Sequence, residues 1–347
     1  MEFRINSEEY SRLIDLLNRV AGTVEPTYRY FQIYHRRGLK FFVSDGCAKL
    51  EFSSPIEVDP FTGVYTVPID YARALKPGKR DTTVTFSTTG SQIKISTGSE
   101  TLTLDRTRTE ELPLMERKFE FSFRYSLKEF RDGLDFVSAA SMEGDSIEIF
   151  SKEEKTYMAA AAGKLVLVAS IESLPRYGFA FSIPYVTARH LVKAFEELKV
   201  EEIDTGVGIS ELGFKVGPLL FSVCTDETTF SPPISLIRNS GGHRVERREL
   251  LIALGKITRL SRRGFSVLMI SKNSTLSFYL KAANLRYESI ASSFSGGSFV
   301  VQIDPHRLHS VLSRMKAQAL NLSIQEKNLL VGSPESGQYL LIPLVQP

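Results

Sequence analysis

The stretch EFRINSEEYSRLIDLLNRV, residues 2–20, decides the fold. Phe3 and Ile5 flank Arg4 in a short strand-like opening, and Tyr10, Leu13, Ile14, Leu17 and Val20 then recur at helical spacing. Ser7 fits the N-cap, with Glu8 and Glu9 in the first turn, where the helix dipole favours negative charge. The same strand-into-helix cassette recurs five times, with Val67, Tyr125, Ile183, Val245 and Ile303 standing where Ile5 stands. Ile5 to Tyr125, Tyr125 to Val245 and Ile183 to Ile303 are each 120 residues, and Val67 to Ile183 is 116. Such a period marks three tandem copies of one two-helix unit, the architecture in which every later residue must be placed.

Around the cassettes the other elements fall into place. Leu127, Phe130, Leu134 and Val137 form the equivalent helix face in the second copy, and Leu250, Leu251, Leu254 and Ile257 in the third. Val67-Pro68-Ile69-Asp70, Ile183-Pro184-Tyr185 and Ile303-Asp304-Pro305 put a proline where a helix begins without losing a bond. Alternating runs such as Thr83-Val84-Thr85-Phe86, Gln92-Ile93-Lys94-Ile95 and Leu102-Thr103-Leu104 predict strands between turn residues. The expected class is α+β: three tandem two-helix, antiparallel-sheet domains, with the helices in one layer and the sheets in the opposite one. The pattern resets after residues 107–118 and 237–242, which gives domains at 1–118, 119–240 and 241–347.

A length of 347 residues suits three domains, since single domains run to roughly 100–200 residues. Apolar residues at 42% and charged residues at 24% exclude a disordered chain. No apolar run approaches the roughly 18 residues of a membrane span, and the opening MEFRINSEEYSRL lacks a signal-peptide pattern, so a cytoplasmic location is expected. Cys47 and Cys224 lie in different copies without a C-x-x-C pattern, which predicts two buried thiols rather than a disulfide or a metal site.

Charge is distributed unevenly. The six helix windows together carry +8 while the whole chain carries +3, so the remainder is acidic. In the fifth window Arg248, Lys256, Arg259 and Arg263 share one side, away from Leu250, Leu254 and Ile257. Arg73, Lys76, Lys79 and Arg80 cluster in the second window, Arg189 and Lys193 lie in the fourth, Arg314 and Lys316 in the sixth, and Arg19 ends the first. A basic helix layer backed by an acidic remainder suits a polyanion on one side, although any single helix could simply present a solvated face.

The layout resembles the bacterial-type sliding clamp, the beta subunit of DNA polymerase III, over essentially the whole chain. Tyr125-Ser126-Leu127-Lys128-Glu129-Phe130 is similar to that family's domain junction, Tyr339-Leu340-Leu341-Ile342-Pro343-Leu344 to its terminal strand, and Leu250-Leu251-Ile252-Ala253-Leu254 to its third-domain helix. The resemblance implies a DNA clamp fold, a homodimer closed head to tail into a ring around duplex DNA, and a non-catalytic processivity role with no cofactor or metal. Implied partners are double-stranded DNA without sequence preference, a DNA polymerase and a clamp loader, near the nucleoid. The family's partner-peptide pocket maps onto Gly163, Lys164, Leu165, Val166, Arg307, Leu340, Ile342, Pro343 and Leu344. Here the family's Thr-Asp-Gly-His-Arg-Leu loop is Ala161-Ala162-Gly163-Lys164-Leu165-Val166. Leu102, Leu104 and Leu260 match its subunit-interface positions, and the net basic balance departs from the acidic habit of bacterial clamps.

Rival motifs are weaker. Asp204-Thr205-Gly206 spells the aspartic-protease triplet, but it follows Glu201 and Glu202, has no second copy and fits a hairpin turn. His306-x-x-His309 lacks a third ligand nearby, and Gly206-x-Gly208 and Gly296-Gly297 lack the lysine of a phosphate loop. The competing class is a clamp-fold scaffold that gathers proteins without encircling DNA.

Overall fold

The computed structural model describes residues 1–22, 28–75, 77–78, 82–105, 119–172, 180–196, 198, 200–208, 211–226, 232, 234–238, 242–261, 265–282 and 285–345. The first copy runs β1 (Glu2–Asn6), α1 (Ser7–Val20), β2 (Tyr30–His35), β3 (Leu39–Ser44), β4 (Ala48–Ser53), β5 (Val64–Pro68), α2 (Ile69–Ala74), β6 (Thr83–Thr89), β7 (Gln92–Ser96) and β8 (Thr101–Asp105). The second repeats that order as β9 (Glu120–Ser126), α3 (Leu127–Val137), β10 (Ser146–Lys152), β11 (Lys155–Ala162), β12 (Leu165–Ile171), β13 (Phe181–Pro184), α4 (Tyr185–Glu196), β14 (Glu202–Val207), β15 (Glu211–Val216) and β16 (Leu219–Cys224). A short helix, α5 (Ile234–Arg238), follows. The third copy is β17 (His243–Glu246), α6 (Arg247–Leu260), β18 (Val267–Lys272), β19 (Thr275–Ala282), β20 (Leu285–Ser293), β21 (Phe299–Ile303), α7 (Pro305–Arg314), β22 (Ala319–Gln325), β23 (Asn328–Ser333) and β24 (Gln338–Pro343). The order of elements is the same three times, and all six cassette residues from Ile5 to Ile303 are buried.

The repeat extends to strand register. Ile5 faces Val84, Tyr125 faces Ile203 and Val245 faces Leu320, while Val67, Ile183 and Ile303 face Phe31, Ile147 and Val267. Sheets then grow by joining copies. The fourth strand of copy one, β4, pairs antiparallel with the last strand of copy two, β16, and β12 of copy two pairs with β24 of copy three. Two eight-stranded sheets result, β5-β2-β3-β4-β16-β15-β14-β9 and β13-β10-β11-β12-β24-β23-β22-β17, together with four-stranded sheets β1-β6-β7-β8 and β20-β19-β18-β21.

Because each long sheet spans two copies, the chain divides into compact units that do not follow the repeat. One holds Met1–Leu127 with His190–Thr225, the other Lys128–Arg189 with Asp226–Pro347. In the first unit α1 packs on both sheets through a buried aromatic group in which Phe3 stacks on Phe86 at 4.7 Å between ring centres. Tyr10 reaches across from α1 and donates its hydroxyl to the Ala72 carbonyl of α2 at 2.8 Å, and burial pushes that hydroxyl's pKa up. In the second unit the Arg247 guanidinium, at the first turn of α6, donates to the carbonyls of Leu312, Ser313 and Met315. Those carbonyls end α7 without helical partners, so the charge satisfies them and favours the dipole.

Several local expectations change. The cap of α1 is Asn6, whose Oδ1 accepts the Glu8 N–H at 2.8 Å, and Ser7 is already helical. Helix α2 stops at Ala74, α6 at Leu260 and α7 at Arg314, so Lys316 stands beyond its helix. Ile237 and Arg238, expected in a closing turn, belong to α5. Residues 107–118, the other expected boundary, lie outside the described residues.

The cysteine expectation is overturned. Cys47 and Cys224 form a disulfide with their Cα atoms 5.0 Å apart, within the reach a disulfide requires. Ala48 faces Val223 in the β4–β16 ladder, so one step back Cys47 faces Cys224. Beside it, Asp45 Oδ1 accepts the N–H groups of Cys47 at 2.9 Å and Ala48 at 2.5 Å, and Asp45 Oδ2 lies 3.3 Å from His190 Nε2. Burial pushes the Asp45 carboxyl up, and His190 opposes that shift. Two steps along the same face, Lys49 and Glu211 make a buried ion pair whose second carboxylate oxygen accepts the Ser222 hydroxyl at 2.7 Å.

Candidate nucleic-acid and subunit interfaces

Helix α6 buries Leu250, Ala253, Leu254 and Ile257 and turns Arg248, Lys256 and Arg259 to solvent as one stripe. Offsets of eight and eleven residues hold the three cations on a common face. None of them forms an ion pair with the described residues. Ile252, 51% exposed, lies in the same stripe, an apolar residue that the charge pattern did not signal. Arg73 on α2 and Lys193 on α4 are also exposed. Arg19 is half-buried near the end of α1, where its carbonyl meets His190 Nδ1. Lys76, Lys79, Arg80 and Arg263 lie outside the described residues.

The remaining predicted cations are not bare. Arg314 Nε lies 3.0 Å from Asp135 Oδ1, Arg189 Nη1 lies 3.9 Å from the same oxygen, and Lys316 Nζ lies 3.5 Å from Asp132 Oδ2. Arg131 adds a contact to Asp132 at 3.2 Å. Four cations from three helices and one helix end thus surround two carboxylates of α3. The sequence shows Asp132 and Asp135 on the third helix but not their partners, since pairing across helices depends on packing.

The ends of the sheets are open. Strand β8 is outermost in its four-stranded sheet and β20 is outermost in the other. Leu102 and Leu104 on β8 are half-covered, alternating with exposed Thr101, Thr103 and Asp105. Beside them Tyr71, Ala74, Leu75, Glu100, Thr101 and Leu102 line a cavity of about 430 Å³. Leu260, the last residue of α6, is 47% exposed, and Ile290 on β20 is 69% exposed. Unpaired apolar strand edges invite a further strand.

The predicted peptide-pocket residues divide between several settings at the β12–β24 junction. Gly163 and Lys164 form the exposed β11–β12 turn, Gly163 with a φ of +62°, and the Arg307 guanidinium reaches this turn and contacts Met142 Sδ at 2.9 Å. Leu165, Leu340 and Ile342 are buried, so their side chains are core and offer no surface. Val166 lies on the other face with Tyr339 and Leu341, in a cluster with Tyr157, Ala159, Val168 and Leu330 that α5 partly covers through Ile234 and Ile237. Pro343 ends β24 opposite Asn328, and Leu344 bridges to Val301. Tyr157, Tyr339 and α5 were absent from the sequence-derived set.

The rival motifs lose their chemistry. Asp204-Thr205-Gly206 is interior to β14 rather than a turn. Asp204 pairs with Arg124 at 2.7 Å, a guanidinium that holds its carboxyl below the usual range, instead of sharing a proton with a second carboxylate. His306 Nε2 meets the Ser261 carbonyl at 3.0 Å at the end of α6. Among the described residues no group of three His, Cys, Asp or Glu side chains could hold a metal, and no helix is long and apolar enough to cross a membrane.

Solved structures with this architecture are DNA polymerase III beta subunits. The chain matches the DNA polymerase sliding clamp of Pseudomonas aeruginosa at 16% identity and a TM-score of 0.84, covering 100% of both chains. It matches the DNA polymerase III beta subunit of Thermotoga maritima at 12% identity and 0.84, covering 100% of this chain and 99% of that one, and the Bacillus subtilis sliding clamp at 14% and 0.79 with the same coverage. No protein-family model and no curated protein matches the sequence. The fold is that of the DNA sliding clamps.

Proposed function

We propose that this chain is a DNA sliding clamp. Two copies join head to tail into a ring around duplex DNA, and the ring tethers a replicative polymerase without chemistry of its own. The observation that carries this reading is a joining rule that the chain obeys twice and leaves incomplete. The fourth strand of one copy pairs with the last strand of the next at β4–β16 and at β12–β24. Among the described residues, β20, fourth in copy three, and β8, last in copy one, are the two strands that this rule leaves without a neighbour. A second chain supplies each with its missing neighbour, and such head-to-tail contacts close into a ring when the rotation permits.

The ladders support a specific register for that contact. Following facing residues from Phe3 through Phe86 and Ile95 ends at Leu102, the place that Phe221 and Leu340 occupy in the later copies. Phe221 faces Leu50 and Leu340 faces Leu167, and the equivalent position in copy three is Tyr287, opposite Leu280. Leu102 of one chain therefore faces Tyr287 of the other, Leu104 faces Leu285 and Thr103 faces Arg286. Thr103 and Arg286 correspond to Ser222 and Lys49, two steps from the Cys47–Cys224 pair on the same face. Thr103→Cys with Arg286→Cys, mildly oxidised, is expected to give a discrete covalent dimer on non-reducing gels. A product that stays monomeric would sink the register, and an endless ladder would sink closure.

DNA contact follows from the exposed α6 stripe. Long cations that meet phosphates without reading base edges hold a duplex and still let it move. Topology then supplies attachment, and a polymerase held on the ring rebinds locally at high effective concentration. Lys256→Glu with Arg259→Glu is expected to abolish retention on circular DNA and to leave dimerisation intact. Unchanged retention would favour the non-encircling scaffold. For partner peptides, including those of a polymerase or clamp loader, the docking surface we propose is at the β12–β24 junction, where Gly163 and Lys164 form the exposed turn that Arg307 reaches and Val166 and Tyr339 are half-buried on the other face.

A further inference from the structure

We propose that Asp132 and Asp135 on α3 act as resident counter-ions for Arg189, Arg314 and Lys316, which duplex phosphates must displace before these cations can bind DNA. This rests on the helix layer facing DNA, as proposed above. The aspartates are positioning residues, and their effect is to keep the ring's grip weak enough to slide.

The geometry fits exchange better than a fixed structural clip. Asp132 lies deepest, its side chain 17% exposed, whereas Lys316 above it is 59% exposed and 3.5 Å away. Asp135 shares one oxygen between Arg314 at 3.0 Å and Arg189 at 3.9 Å, and all three side chains are about one-third exposed. Arg314 is steadied independently. Its Nη1 donates to the Ser310 carbonyl at 3.3 Å and to the Ser310 hydroxyl at 2.6 Å, and that hydroxyl in turn bonds the Ala139 carbonyl at 3.1 Å. Its Nη2 makes no hydrogen bond with the described residues, so once Asp135 leaves Nε the planar Nε–Nη2 edge is free for a phosphate. Partly exposed ion pairs of this kind are weak, comparable to a single phosphate contact, so a passing phosphate trades places with a carboxylate at little net change. On α6 the cations Arg248, Lys256 and Arg259 form no ion pair with the described residues. The layer thus holds two classes of cation, one bare and one pre-neutralised.

The test is the salt dependence of binding to a short linear duplex of random sequence, followed by fluorescence anisotropy across a NaCl series. Asp132→Asn with Asp135→Asn removes two negative charges and keeps side-chain shape. At about 0.9 in the logarithmic slope per phosphate neutralised, the slope is expected to steepen by about 1.8, which is about tenfold tighter binding for a fourfold drop in salt. Asp132→Glu with Asp135→Glu keeps the counter-ions and is expected to hold the slope near that of the unaltered protein. A purely structural role would lower thermal stability in the Asn variant and leave the slope unchanged, and that result overturns the proposal. Lys256→Glu with Arg259→Glu serves as the separate control on the DNA-facing surface. If it leaves binding intact, the DNA reading itself falls, whatever the aspartates do.

Discussion

Reducing the Cys47–Cys224 bond ought to soften one half of the molecule and spare the other. The bond joins β4 to β16 and closes a loop with a sequence separation of 177 residues. Chain-entropy arithmetic for a loop of that size gives about 5 kcal/mol as an upper figure, and disulfides commonly deliver about 2–4 kcal/mol. Each kcal/mol moves the midpoint of a unit of this size by about 2–4 °C, so reduction is expected to lower the first unit's transition by about 10 °C. Differential scanning calorimetry of oxidised protein, of protein reduced with a phosphine, and of the Cys47→Ala, Cys224→Ala and double variants measures this directly. Each single variant is expected to match the double, because either change removes the same bond. Mass spectrometry of the unreduced protein must show the loss of two thiol hydrogens. Two titratable thiols in the unreduced protein, or a midpoint indifferent to reduction, would refute the reasoning.

Lys49 and Glu211 form a buried pair, each side chain about one-tenth exposed, so Glu211→Ala is expected to cost about 3–5 kcal/mol by stranding a charge, while Lys49→Met with Glu211→Leu recovers most of it in urea melts. A Cβ at Gly242 would meet the Leu322 carbonyl oxygen at 2.3 Å, and Gly242→Ala is expected to destabilise the β17–β22 edge by about 1–3 kcal/mol. Gly255 on α6 has open space around it, and Gly255→Ala is expected to add about 1 kcal/mol in the same assay. Arg124 holds Asp204 below its ordinary range, so this pair's contribution is full above the unfolded carboxyl value and is lost as pH falls through the depressed folded one. Asp204→Asn is therefore expected to lower stability modestly at neutral pH, to converge on the unaltered protein at low pH, and so to flatten the acid limb of a stability-against-pH curve.

How far the sequence could be read follows the range of the interactions. The cassettes were legible because a strand running into an amphipathic helix is written in neighbouring residues, and Ile5, Tyr125 and Val245 take matching places in their ladders. The α6 stripe was legible for the same reason. Helix ends were harder, since the Asn6 cap and the stop of α2 at Ala74 depend on single backbone angles. Partners distant along the chain were not legible at all. Nothing near Cys47 names Cys224, and nothing near Asp135 names Arg314, because both pairings exist only once the sheets and helices have assembled. The peptide-pocket set divides by the strand period, as Leu340 and Ile342 point to the core while Tyr339 and Leu341 take the other face.

One joining rule with three sets of side chains explains how a repeated fold acquires distinct parts. At β4–β16 the positions facing away from the helices hold Cys47, Lys49, Ser222 and Cys224, a covalent bond beside a buried ion pair. At β12–β24 the equivalent positions hold Lys164, Val166, Leu341 and Pro343, which leave an apolar face that α5 partly covers. On the open edges they hold Thr103 and Asp105 on β8 and Arg286 on β20, polar groups that stay soluble when unpaired and tolerate repeated opening. On the reading proposed above, the disulfide junction resists separation, the apolar face receives a docked peptide, and the polar edge closes and reopens. On this logic, moving cysteines to Thr103 and Arg286 transfers the first junction's chemistry to the third. The crosslinked ring is expected to stay on circular DNA after dilution and to slip off once the DNA is cut, whereas a protein that held DNA by affinity alone would be indifferent to the cut.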